Sequence, residues 1–232
     1  MKKMKKLLSL MLAIVMVVST VPYAYAEDDL SKETSEQEVG IITNQDELQA
    51  ALKAGGNYKL GNNITIDKGV YSDAESTAID LAGYTIAATK SWAISVSEGN
   101  LTISGGSTEK LAYILYDGNL TIKDTVITAT SSSVLGCHGG EMTLEDVIVN
   151  ATYGSVVYSN GGTINIRGGA YLAAHDEEMF DSYTGEAPNV NVYAGTFNMD
   201  VSEYVAENCE QVLKDGKYVV DSSIKGTAGE GV

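Results

Sequence analysis

Seven short apolar triplets with a polar residue at their centre recur along the chain: Ile64-Thr65-Ile66, Ile79-Asp80-Leu81, Leu101-Thr102-Ile103, Leu120-Thr121-Ile122, Met142-Thr143-Leu144, Ile164-Asn165-Ile166 and Val190-Asn191-Val192. Their first residues are spaced 15, 22, 19, 22, 22 and 26 apart. Apolar outer positions around a polar centre are the alternation of a strand with one buried face. One such strand cannot bury its apolar side alone, so the units must stack on one another around a shared core.

Two further strands can be read in each repeat. One follows the triplet by about three residues, at 84–86, 126–128, 147–149, 170–172 and 196–198, and another precedes it, at 93–96, 114–116, 133–135 and 155–158. Three short strands in some 22 residues make one coil of a solenoid. The fold expected is therefore all-β, a parallel β-helix of about seven coils over residues 41–220. Stacking predicts ladders between coils. Residues 133–140 (SVLGCHGG) lie 22 before residues 155–162 (SVVYSNGG), with their Gly-Gly pairs aligned where the chain must turn sharply. One row reads Lys123, Glu145, Arg167, either an ion ladder on the outer wall or a coincidence of surface charges.

An open solenoid end exposes apolar core and unpaired strand edges, which must be covered. Residues 43–54 (TNQDELQAALKA) place Leu48, Ala51 and Leu52 on one helical face, with Thr43 or Asn44 as N-cap, acids in the first turn and Gly55-Gly56 as the stop. This predicts an N-terminal capping helix. At the other end, residues 200–212 read as more helical, the Asp215-Gly216-Lys217 turn suggests a closing hairpin, and residues 221–232 read as a disordered tail.

The first 26 residues carry Lys2, Lys3, Lys5 and Lys6, an apolar run over residues 7–18, and Ala24-Tyr25-Ala26, the order of a secretory signal peptide. The run is shorter than the roughly 20 residues of a membrane span. The mature chain is expected to be secreted or held at the cell surface, with no transmembrane segment and with a flexible acidic leader at 27–40. Losing the four signal lysines takes the net charge from −16 to −20. That field argues against a nucleic-acid partner, whose phosphates are bound by Lys and Arg. Cys137 and Cys209, the two cysteines, are too few for a disulfide scaffold, and whether they pair is open. No metal-ligand spacing is present. The acidic run at residues 175–178 (HDEE) offers oxygen ligands to calcium, but no specific motif indicates that cofactor.

On these residues the chain resembles the right-handed, single-stranded parallel β-helix proteins of the pectate-lyase-like superfamily. The opening TNQDELQAALKAGGNYKLGNNITID, the AIDLAGYTI of residues 78–86, the AGTFNMDVSEYV of residues 194–205 and the GKYVV of residues 216–220 are similar to exported β-helix proteins of Gram-positive gut bacteria. Asn208-Cys209 stands where the closing motif of those proteins more usually has a glycine and an aromatic. The resemblance implies fold and export and says little about chemistry, since lyases, hydrolases and adhesins share this architecture.

Two classes of function are consistent with the sequence. The preferred one is a non-catalytic, adhesin-like module whose partner is a glycan or protein of a cell envelope or host surface, with Tyr116, Tyr158 and Trp92, and Tyr153 and Tyr183 nearby, as a stacking surface. The alternative is a lyase or glycoside hydrolase acting on acidic polysaccharide. Its candidates are Asp124 and Asp146, stacked at one ladder position, with Arg167 as base and His138 grouped with Asp117 and Glu141. Paired carboxylates are necessary for such chemistry, not sufficient, and Arg167 is expected to pair with Glu145 and Asp146 instead.

Overall fold

A computed structural model describes residues 39–130, 133–174, 178–182, 184–185 and 187–222. The segment read as a signal peptide, nearly all of the expected leader, most of the HDEE run, Tyr183 and residues 223–232 lie outside the described residues. The described residues are 62% strand, wound as a parallel β-solenoid of about 7 turns.

Each coil contributes to three walls. On the first, Thr77 pairs with Leu101, then Leu120, Met142, Ile164 and Val190 in successive coils. On the second the inward row is Ile64, Ile86, Thr108, Ile127, Val149, Tyr171 and Phe197. On the third it is Val70, Ile94, Tyr113, Leu135, Val157 and Phe180. Nearly all these side chains are buried and meet in one continuous core. Alternation puts every second residue inside, so β-branched and aromatic side chains stack on their own kind up the axis. The long strands Asn119–Ala129 and Glu141–Ala151 run through a corner and serve both the first and second walls.

From Leu101 onward the triplets lie in the register read from the sequence. The first two do not. Ile64 pairs with Ile86 and so belongs to the second wall, and Ile79 pairs with Ile103, so this coil's inward pair is Thr77 and Ile79. Both walls bury alternate residues, which makes a second-wall triplet indistinguishable by pattern from a first-wall one. At Thr77 a buried hydroxyl residue takes an apolar slot and shifts the apparent phase by two.

Helix α1 (Gln45–Ala54) buries Leu48, Ala51 and Leu52 against this core. Asn44 is its N-cap, accepting from Glu47 N (3.0 Å), while Glu47 Oε2 accepts from Thr43 N (2.7 Å) and Thr43 Oγ1 (2.8 Å). These hydrogen bonds hold the Glu47 carboxyl below its ordinary range, the Thr43 backbone bond contributing most. Side chains of α1 also stand in for a missing strand. Gln49 Oε1 accepts from Tyr71 N (3.1 Å) and its Nε2 donates to Tyr71 O (2.8 Å), while Gln45 Oε1 accepts from Asp67 N (2.7 Å). Each reaches 22 residues ahead, one full coil.

The expected helical segment at residues 200–212 is instead a single 3-10 turn, Ser202–Tyr204, followed by the strand Glu210–Lys214. That strand forms an antiparallel hairpin with Lys217–Asp221, which closes the second wall against Val190–Phe197. Inside this end Tyr171 stacks on Phe197 (5.1 Å between ring centres), and Phe180 meets Phe197 and Tyr204 edge-on. Cys137 and Cys209 are both buried and both free thiols.

Candidate functional site

The outward row of the third wall runs Tyr71, Ser95, Ile114, Gly136, Tyr158, Asp181. A row of side chains that drops to a bare glycine and rises again to a tyrosine leaves a trough. Nothing in the backbone demands a glycine there. Gly136 does not take a positive φ, and a Cβ built on it would meet Ile114 at 3.6 Å, an ordinary contact. Its effect is to lower the wall. Around it opens a groove of about 680 Å³, floored by Ala93, Ala112, Ile114 and Gly136 and flanked by Trp92, Tyr153, Tyr158, His138 and Asp181. Tyr153 is 64% exposed.

Two residues further along each coil the row reads Tyr116, His138, Asn160, tied by main-chain bonds from His138 N to Leu115 O (2.8 Å) and from Asn160 N to Cys137 O (3.0 Å). The rings of Tyr116 and His138 stack at 5.3 Å with 18° between planes, and Tyr158 meets the imidazole edge-on at 6.5 Å. Asn160 Nδ2 lies 3.2 Å from His138 Nδ1, within hydrogen-bond distance. His138 thus has one aromatic ring stacked on it and a second meeting it edge-on at the rim of the groove. Beneath it, Tyr113 is wholly buried and desolvation drives its hydroxyl far above the usual phenol range. Burial likewise pushes the Cys137 thiol up to about 11.

The structure thus brings Trp92, Tyr153, Tyr158 and His138 to one groove and sets the half-exposed Tyr116 against His138. It places the other candidates elsewhere. Asp124 and Asp146 occupy the same corner of adjacent coils, between the first and second walls, with φ of 45° and 52°. Asp tolerates this left-handed conformation better than most residues, so the corner geometry accounts for both. Neither lines the groove, and nor does Arg167.

The ion ladder forms halfway. Lys123 Nζ pairs with Glu145 Oε2 at 2.6 Å, but the Arg167 guanidinium lies 4.6 Å above the ring of Tyr193 instead of on Glu145 or Asp146. A register shift causes this: Ile166 pairs with Val192 but Arg167 with Ala194, and the extra residue, Tyr193, presents its ring to the arginine.

Asp117 and Glu141 are engaged locally, the first accepting from Gly118 N and the second from Asn165 Nδ2, both at 2.7 Å. Among the described residues no three His, Cys, Asp or Glu side chains gather as metal ligands.

Of the groove's lining residues the sequence points to Trp92, Tyr153, Tyr158 and His138, and misses its floor and Asp181. Gly136 was visible in the alignment of SVLGCHGG on SVVYSNGG, where it stands opposite Tyr158, yet a glycine in a ladder draws attention as a turn. Asp181 follows an irregular stretch in which coil spacing gives no register. No protein-family model matches the chain, and neither a curated protein nor a solved structure does.

Proposed function

We propose that the chain is an exported β-helix protein of the pectate-lyase-like kind that holds a glycan, without cleaving it, in the groove of its third wall. The observation that carries this reading is the groove itself: aromatic side chains rise around an apolar, small-residue floor. Aromatic rings offer a sugar's C–H face a flat apolar partner while their polar tips reach its hydroxyls. A stacked solenoid wall repeats such positions at about 4.8 Å, an interval suited to an extended chain of sugar units. The carboxylates nominated for hydrolysis form corners away from this surface, and the nominated arginine stacks on Tyr193, which weighs toward binding over turnover. The signal segment supports action outside the membrane, on a cell-envelope or host glycan.

The test is retention of the mature protein on an array of plant, microbial and host glycans, run beside reducing-end and unsaturated-uronate assays. Binding without product release, lowered about tenfold by Trp92→Ala or Tyr158→Ala, is the expected result. Product release lost on His138→Ala or Asp181→Asn would replace binding with catalysis. Capture of proteins but no glycan would sink the reading.

A further inference from the structure

Building on the glycan-binding reading, we infer the ligand's class and direction: an uncharged glycan chain laid along the solenoid axis, selected by a groove that holds no cation and ends in a carboxylate.

The direction follows from register. Trp92 and Ala93, then Ala112 and Ile114, then Gly136, then Tyr158, then Asp181 come from successive coils. From Ile114 through Gly136 and Tyr158 to Asp181, all in one register row, is three coil steps, about 14 Å at strand spacing. This row runs along the axis through the groove, with the gap at Gly136 inside it and Trp92 set three residues along the strand to one side. A short run of sugar rings fits that span, with Tyr158 beside it and Asp181 at one end.

The class follows from charge. Among the described residues lining the groove none is Lys or Arg. Uronate and sulfate groups are recognised by such cations, which give bidentate or point-charge partners. Among the described lining residues the one anionic group is Asp181, whose Oδ1 accepts from Ser182 N at 2.7 Å and is fixed by that bond. A fixed carboxylate accepts hydrogen bonds from sugar hydroxyls and repels an anionic sugar. The chain's excess of acids, 31 against 15 Lys+Arg, adds to the repulsion at long range. Acidic polysaccharide, the substrate class that the β-helix lyases suggest, is the class this groove turns away.

Calorimetric titration of the mature protein with cello-, manno- and xylo-oligosaccharides, and with oligogalacturonate, tests the inference. At least one neutral oligosaccharide should bind about tenfold or more tightly than oligogalacturonate, with little dependence on salt. Gly136→Leu should abolish that binding while the thermal transition is retained; should Gly136→Leu unfold, Ala112→Leu fills the same floor. Asp181→Asn should narrow the gap between neutral and acidic ligands. Oligogalacturonate binding tightest, salt-sensitive and lost on Gly136→Leu, would overturn the charge class and leave glycan binding in the groove standing. Absence of binding by every oligosaccharide would overturn both.

Discussion

Gly118, Gly140 and Gly162 stand above one another where each coil enters the first wall, with φ of 79°, 67° and 70°, and a Cβ on any of them would press into backbone of the preceding coil. Gly140→Ala should therefore cost about 3 kcal/mol, combining left-handed strain with the clash. Gly136→Ala, at a glycine with neither problem, should lie within about 0.5 kcal/mol of wild type. Urea midpoints of the two variants make the comparison. The same ladder was legible in the sequence as aligned Gly-Gly pairs, since a turn needing positive φ leaves a glycine in every repeat. Gly136 was not, because a glycine kept for space has no such signature. Cys137 is fully buried, with its thiol raised to about 11, and Cys209 is nearly as inaccessible. A thiol reagent at pH 8 should count no fast-reacting cysteine in the native protein and two after denaturation; none after denaturation would mean that the pair is oxidised.

Helix α1 does more than shield apolar surface. Its Gln49 amide occupies both hydrogen-bonding groups of Tyr71, the pairing a further strand would have made. Gln49→Ala should lower stability by about 1 kcal/mol and speed hydrogen exchange at the Tyr71 amide, with oligosaccharide binding unchanged. The helix was legible from its apolar face and cap residues, whereas the edge-pairing glutamines, being polar and exposed, look like any solvated surface.

The carboxyl of Glu47 has a folded-state pKa below its ordinary one. Its stabilising contribution is thus complete above about pH 4.3 and is lost as pH falls through and below that value. Thermal transitions recorded from pH 6 to pH 3 should show this loss, and Glu47→Gln should remove part of the pH dependence. The misplaced triplets Ile64-Thr65-Ile66 and Ile79-Asp80-Leu81 mark where element reading fails: alternation reveals that a strand is half buried, not which wall it joins. The 15-residue gap between them, short of a full coil, was the available sign.

At the scale of the whole molecule, the repeat length fixed most of the architecture, because each coil must bury its apolar rows on the next. The groove was partly legible. Trp92, Tyr116, Tyr158 and His138 could be nominated as aromatic or polar residues near one another in coil position, but their convergence depends on the third-wall register, on the empty place at Gly136 and on Asp181, whose coil spacing departs from the repeat. Arg167 was misjudged since its partner, Tyr193, is the extra residue of a bulge, which no fixed period announces. Trp92 is the single tryptophan of the chain and lines the groove with its ring half-buried against the core, so its emission reports on that part of the molecule. The most direct test follows Trp92 fluorescence while the neutral oligosaccharides are titrated in. A saturable change that Gly136→Leu abolishes and oligogalacturonate does not reproduce is the result predicted; an emission unmoved by every neutral oligosaccharide would contradict the account.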